Sequence, residues 1–566
     1  MKKIISIILS LTILMSACAI SVSAASSDVD ISYAVASDLH YNIPDEELEW
    51  FSEDPIYGYA NRRAAMENES GLIIDEMLRQ VAEDDNMNFL LVAGDLADNG
   101  KSIMEEHLAV AEKFKNFEET SGKQVYVIPG NHDYGMPGEY CETGAEEFKN
   151  IYADFGYDQA LTIDGLSYTA NLGDKYRLLA LDSTDPDKST EDGMTDAKVQ
   201  WVIDEAQKAY DEGRYPILMM HHNLLDHLPL QRILSHDFII RNHTATANKW
   251  ADAGIKLVFS GHEHCSDATT HTSPNGNTIS DFATTSLTMY PLQYRYVEMS
   301  DDTITYEAKT VDSIDTDALV EMVDGYSDEQ IAEMNKGLNA FAKEYLKNGV
   351  EYRLERGFND EQLGIKPGDI YYTLVRDVVD TFNDVLNMPL YGEGSAQELA
   401  KQYNIDIPDS DYKDGWDVAT ELVSAHYAGE EDYPLYENDV KILFLMMSLV
   451  IKSEFDYIDD LTFYKAAAGV IAASNIDSID TIIKMISTQE EGVTAGEYLL
   501  VAIASPLLDS FANDDGVADN NGAIDGYGKT DTGANIGASL GTSFLDVANA
   551  FYTFLRYIVK ILNLWL

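Results

Sequence analysis

Residues 31–40 read Ile31-Ser32-Tyr33-Ala34-Val35-Ala36-Ser37-Asp38-Leu39-His40, an apolar run that ends on two ligand-type side chains one residue apart. The run predicts a strand over Ile31–Ser37. Working outward, the same grammar recurs. Strands are expected at Phe89–Ala93, Val125–Ile128, Arg177–Leu181, Ile217–Met220 and Leu257–Ser260. Gly94-Asp95 follows the second strand, Gly130-Asn131-His132-Asp133 the third, His221-His222 the fifth, and Gly261-His262-Glu263-His264 the sixth. Between the strands lie helical patterns. Leu72, Ile73, Met77, Leu78 and Val81 recur at helical spacing, and Thr195 opens a helix in which Val199, Val202 and Ile203 share a face. A hairpin-like end is expected around Tyr294–Met299 and Thr303–Ala308. Strand–helix alternation of this kind predicts an α/β domain over 31–310, with layered β-sheets flanked by helices. Ligand sites in such folds gather at the C-terminal edge of the strands, so five separate segments are expected to converge there.

From about residue 313 the character changes to a mainly α-helical C-terminal domain, assigned to 313–545. Ser327-Asp328-Glu329-Gln330 has the spacing of a capping box, and Ile331, Met334, Leu338, Phe341 and Leu346 follow on a helical period. Further helices are expected at Ile370–Leu386, Val440–Phe455, Phe463–Ala473 and Ala495–Ser510. The Asp/Asn/Gly-rich stretch Asn513–Gly528 misses the EF-hand spacing and reads as a polar turn.

The 566 residues are too many for one core. With 98 acidic against 38 basic residues, the formal net charge is −60. A field of that sign repels nucleic acid and anionic lipid, so no nucleic-acid scaffold is expected as a partner. The N-terminus reads as a signal peptide over 1–24: Lys2 and Lys3, an apolar run from Ile4, then Val22-Ser23-Ala24 before Ala25. That predicts a secreted or cell-surface protein. Anchoring as a lipoprotein at Cys18 is the lesser alternative, because Met15 stands where Leu is usual. Cleavage after Ala24 leaves Cys141 and Cys265, whose pairing the spacing leaves open. Cys265 reads as a packing residue.

Eleven of the twelve histidines lie between His40 and His271, so an imidazole-rich metal site must belong to the first domain. The ordered set DxH, GDxxD, GNHD, an isolated His and GHxH resembles the calcineurin-like metallophosphoesterase family, over roughly residues 31–310. The resemblance implies one metal held by Asp38, His40, Asp95 and His264. It implies a second held by Asp95, Asn131, His221 and His262, with Asp95 bridging. Mixed imidazole, carboxylate and amide ligands favour two divalent transition-metal ions, Zn, Fe or Mn. Two such ions about 3.5–4 Å apart bind phosphoryl oxygens and lower the pKa of a bridging water. His132 matches the family's proton donor to the leaving alkoxide, with Asp133 expected to orient its imidazole. His222 reads as packing and Asp98 as a loop hydrogen-bonder. Asp98 stands where purple acid phosphatases have a metal-bound Tyr, and Asn99 replaces the Arg of GDxxDRG; both depart from those subclasses. Arg62 and Arg63 are left out of the site as a solvated helix start.

The function expected from the resemblance is hydrolysis of a small-molecule or polymeric phosphomonoester or phosphodiester. Cyclic-nucleotide phosphodiesterase activity is a narrower alternative. An exported cell-surface binding protein with a vestigial site is another, though no ligand is missing. Substrate choice is expected from the loops Tyr41–Asn61 and Tyr134–Glu146. At the other end, Asp546, Asn549, Thr553, Arg556, Lys560 and Asn563 form one polar stripe on an otherwise apolar helix over 546–566. Such a helix suits either a membrane surface or packing on the helical domain.

Overall fold

The computed structural model describes residues 29–44, 46–59, 64–135, 141–184, 194–227, 231, 238–357, parts of 359–398, 410–430 and 517–529. The signal segment, Arg62, Arg63, the amphipathic tail and the helices expected at Val440–Phe455, Phe463–Ala473 and Ala495–Ser510 lie outside them. Of Ile370–Leu386 only single residues are described, and these are helical.

Two sheets face each other. The first is six-stranded, in the order β13 (Asn521–Asp525), β12 (Thr303–Thr310), β11 (Gln293–Met299), β1 (Ile31–Ala36), β2 (Phe89–Val92) and β3 (Gln124–Val127). The second is seven-stranded: β4 (Thr162–Asp164), β5 (Ser167–Leu172), β6 (Tyr176–Leu181), β7 (Tyr215–Met220), β8 (Leu257–Ser260), β10 (Thr278–Ala283) and β9 (Asp267–Thr272). Strands β1, β2 and β3 run parallel, as do β6, β7, β8 and β10. One core cluster spans both inner faces, with Tyr33 of β1 edge-on to Phe259 of β8 at 5.9 Å.

Helices α1 (Ser70–Glu83) and α2 (Met104–Ser121) bury Ile73, Ile74, Met77, Val110 and Phe114 in that cluster. A short α3 (Ala145–Ile151) follows. A second cluster lies on the other face of the second sheet, where α4 (Asp196–Asp211) and α5 (His243–Asp252) bring Val199, Val202, Ala206 and Trp250 against Leu179, Leu181 and Val258. The layers are therefore helix, sheet, sheet, helix. Thr195 caps α4, its side chain accepting from the Lys198 amide.

The expected capping box is present. Ser327 and Gln330 reciprocate at the start of α7 (Asp328–Lys336), which follows α6 (Thr316–Met322). The helical period beyond it is divided between α7 and α8 (Leu338–Gly357), with the break at Gly337. Leu319, Met334, Leu338, Phe341 and Tyr345 enter the main core cluster, so these helices pack on the α/β layers. Helix α9 (Gly415–Ala428) joins them through Trp416, Val423 and Tyr427. The polar-turn reading of Asn513–Gly528 needs correction. Asn521–Asp525 pairs antiparallel with β12 from Thr303↔Asp525 to Glu307↔Asn521 and closes the edge of the first sheet. Among the described residues no helix is long and apolar enough to cross a membrane.

Candidate metal centre

Each parallel strand of the inner layers ends at the same edge, and the ligand-type residues follow directly. Asp38 and His40 leave β1, Asp95 leaves β2, and Asn131 and His132 leave β3. His221 leaves β7, and His262 and His264 leave β8. All seven expected ligands meet there, and all but Asn131, which is half-buried, are buried. Gly130 and Gly261 allow the close approach. A Cβ at Gly130 would enter the Asp95 carboxylate, and one at Gly261 would strike Ser37 Oγ and Asp38 Oδ2.

Two groups of nitrogen and oxygen atoms converge. In the first, His40 Nε2 lies 3.1 Å from His264 Nε2, which is 3.2 Å from Asp38 Oδ1. In the second, His221 Nε2 lies 3.0 Å from Asn131 Oδ1, 3.2 Å from His262 Nδ1 and 3.3 Å from Asp95 Oδ2. Asp95 Oδ2 is also 3.8 Å from His40 Nε2, so it stands between the groups. Ligands about 2.0–2.1 Å from one ion in tetrahedral array are about 3.3–3.4 Å apart, close to these spacings.

The outer ring nitrogens fix the tautomers. His221 Nδ1 donates to the Ala93 carbonyl at 2.9 Å, His40 Nδ1 faces Asp98 Oδ1 at 3.3 Å, and His264 Nδ1 faces Met289 Sδ at 3.1 Å. With those protons on Nδ1, the Nε2 lone pairs point inward, the usual orientation of a metal-binding histidine. Asp38 Oδ1 and Asp95 Oδ2, both buried, accept no hydrogen bond. A cluster of lone pairs and two unsatisfied carboxylate oxygens is what a cation requires, so these residues fit a pair of metal ions. The two carboxylates make the field at His221 negative, and without a metal a proton answers it. Burial alone would lower His221, but the Asp95 and Asp38 carboxylates overcome it and push the imidazole up to about 10. His262 is driven well down by burial and by its neighbours His222 and His221.

The backbone carries a further mark of the site. Among the described residues eight non-glycine residues have positive φ, and five of them are Asp38, His40, Asp95, His262 and His264, at 40–68°. Left-handed backbone costs a non-glycine residue about 1 kcal/mol or more, and such strain collects at functional sites.

Around this centre some expectations change. Asp133 does not orient His132. Its carboxylate is fully buried and takes the amides of Gly130 at 2.7 Å, Leu96 at 2.8 Å and Ala97 at 3.1 Å, tying the loops after β2 and β3 together. The His132 imidazole instead donates from Nδ1 to the Asp98 carbonyl at 2.8 Å. Asp98 thus holds two imidazoles, His132 through its backbone and His40 through its carboxylate. His222 packs outside the ligand groups against Ser183 Oγ, at 2.9 Å. Ser183, which also accepts the His221 and His222 amides, was not singled out from sequence. It lies two residues past the end of β6, behind Asp182. Cys265 is buried and Cys141 half-buried.

Residues 31–266 match the family model of the calcineurin-like phosphoesterases. Among solved structures, the chain is similar to a dimetal phosphatase from Danio rerio, with 11% identity over 50% of this chain and 97% of that one, at a TM-score of 0.35. It is also similar to a predicted phosphoesterase from Streptococcus pneumoniae TIGR4, with 12% identity, 50% and 89% coverage and a TM-score of 0.21. A third is the Haemophilus influenzae NAD nucleotidase, with 11% identity, 54% and 60% coverage and a TM-score of 0.29. No curated protein matches the chain.

Proposed function

We propose that this chain, whose residues 31–266 match the calcineurin-like phosphoesterase family model, hydrolyses phosphoesters with two divalent transition-metal ions held by seven side chains. Asp38, His40, Asp95 and His264 hold one ion; Asp95, Asn131, His221 and His262 hold the other. The carrying observation is the convergence of four electron-pair donors, His221 Nε2, Asn131 Oδ1, His262 Nδ1 and Asp95 Oδ2, with no hydrogen-bond donor reaching Asp95 Oδ2. Imidazole with carboxylate and amide oxygen suits Zn, Fe or Mn.

When bound, the ions supply Lewis acidity to the phosphoryl oxygens and lower the pKa of water at the site. The chain's own residues do the rest. Asp38 and Asp95 bring the negative charge that retains the cations in a buried setting. Hydrolysis forms one P–O bond to water, breaks the ester P–O bond and places a proton on the leaving oxygen. His132 is the proposed source of that proton. Its Nδ1–H is committed to the Asp98 carbonyl, so its Nε2 is the nitrogen that carries the transferable proton. No side-chain nucleophile is needed.

The test is a metal analysis of the full chain purified without chelator, paired with hydrolysis of p-nitrophenyl phosphate and bis(p-nitrophenyl) phosphate. Close to two transition-metal ions per chain are expected, with activity lost on chelation and regained with Mn²⁺ or Zn²⁺. Full activity after thorough metal removal would overturn the reading.

A further inference from the structure

His262 and His264 stand in left-handed backbone at φ 68° and 63°, a conformation that persists only where the surroundings over-determine it. Upstream, the holding contacts come from neighbouring strand ends. The Gly261 amide donates to the His221 carbonyl at 2.9 Å, and the His262 amide to Asp38 Oδ2 at 3.0 Å. Downstream they come from much further along the chain. Ser266, two residues past His264, donates its amide to the Tyr427 carbonyl at the end of α9, at 3.1 Å. Its hydroxyl donates to Asn520 Oδ1 at 2.9 Å and accepts from the buried Arg295 guanidinium at 3.0 Å. Asn520 Nδ2 donates in turn to the carbonyls of Ala428, at 2.6 Å, and Gly429, at 3.1 Å. Next to it, Asp519 takes the Ala268 amide at 2.9 Å. The Asn520 carbonyl accepts from the Ala308 amide at 2.7 Å, which anchors the segment to β12.

We infer that residues 415–429 and 517–525 form a clamp on the ligand segment 261–266, with Asn520 as its positioning residue. The inference rests on the two-ion reading above and extends the working unit well beyond residues 31–266. Asn520 suits the task because one amide accepts the Ser266 hydroxyl while its NH₂ group donates to two carbonyls. A carboxylate of the same shape would keep the first bond and lose both donors. His264 lies nearest the clamp, so the ion sharing Asp38, His40 and His264 is the one the clamp governs.

The experiment uses the full chain and its Asn520→Asp, Ser266→Ala and doubly substituted forms, titrated with Mn²⁺ against a competing chelator. The wild type is expected to bind two Mn²⁺. Each variant is expected to bind one of them about 10–100-fold more weakly, as for other residues that support ligands from outside. Saturating Mn²⁺ should restore the wild-type turnover number, a recovery that a generally damaged fold would not show. The double variant should be no worse than the worse single one, because both changes break the same connection. Wild-type Mn²⁺ affinity in the variants, or losses that simply add, would overturn the clamp. If Asn520→Asp does not fold, Ser266→Ala alone decides. A wild type that binds no Mn²⁺ would overturn the two-ion reading instead.

Discussion

Asp95 is the residue whose replacement separates the chemistry of the site from its architecture. It makes two kinds of contact. Its Oδ2 faces His221 at 3.3 Å and His40 at 3.8 Å, the bridging position between the two ligand groups. Its Oδ1 accepts the His132 amide at 2.7 Å, and its backbone sits at φ 50°. Asp95→Asn keeps the second kind, because an amide oxygen still accepts that N–H and Asn tolerates left-handed backbone. Asp95→Ala loses both. Left-handed strain in Ala costs about 1–2 kcal/mol, and a buried amide left without an acceptor about 1–3 kcal/mol. The cost of burying the carboxylate disappears in both variants and cancels between them. Metal-free Asp95→Ala should therefore be about 2–5 kcal/mol less stable than metal-free Asp95→Asn, measured by urea unfolding in chelator.

Metal binding should behave differently. Loss of a supporting residue outside the ligand set already costs about 10–100-fold in metal affinity. Loss of a shared ligand should exceed that for both ions, in both variants alike. Asp95→Asn should thus be well folded, bind neither ion tightly and hydrolyse almost no phosphoester. Two ions per chain with wild-type turnover in Asp95→Asn would refute the bridging role. Equal metal-free stability of the two variants would refute the account of its backbone.

His132→Ala should keep both ions yet lose about 10²–10⁴-fold in rate on alkyl esters, with a smaller loss on activated aryl phosphates, which need little protonation of the leaving oxygen; equal losses on both would leave His132 a shaping residue only. Asp133→Asn should lower the melting temperature, because its oxygen can keep the Leu96 and Ala97 amides but its NH₂ cannot accept the Gly130 donor. The dependence of its rate on leaving group should stay that of wild type, and a selective loss on alkyl esters would restore a role in orienting His132. His227 lies between Asp267 at 2.8 Å and Asp281 at 3.2 Å; burial would lower it, but the two carboxylates raise it well above its usual value. His227→Gln should cost up to about 3–5 kcal/mol by removing the positive charge from between the two carboxylates. Because the folded value is raised, the gap to wild type should be full below about pH 6.5 and close as pH rises through the elevated folded value, so a gap that widens with pH would count against the ion triad.

The strands legible in the sequence share one physical property. β1, β2, β7 and β8 lie inside their sheets and β3 at an edge; all are parallel to a neighbour and read as nearly unbroken apolar runs. Two of those missed, β9 with Asp-Ala-Thr-Thr-His-Thr and β4 with Thr-Ile-Asp, sit at sheet edges, where one side meets water and the apolar signal thins, whereas β5 and β10, also missed, lie one strand further in and carry Ser, Thr, Asn or Asp among their apolar residues. β13 had no local signal either, since Asn521–Asp525 is defined by pairing with a strand more than two hundred residues earlier. The candidate ligands were legible for a related reason. A metal selects side-chain chemistry, and chemistry is written in residue type.

Support for those ligands is written differently. His221 is held by the carbonyl of Ala93 and His132 by the carbonyl of Asp98, groups every residue possesses. Asp133 follows His132 in the chain and still cannot serve it. Its side chain leaves the turn towards the amides of Gly130, Leu96 and Ala97, while the imidazole leaves towards the loop after β2. Adjacency in sequence thus misassigned the partner of His132, and backbone geometry supplied another. The same holds for the left-handed φ values of Asp38, His40, Asp95, His262 and His264. Asp has some tolerance for that region and His a little, but neither demands it. The strain is imposed by contacts that arrive from both sheets and, at Ser266, from residues beyond 415. A motif therefore identifies what binds, whereas the far contacts determine how firmly it is held.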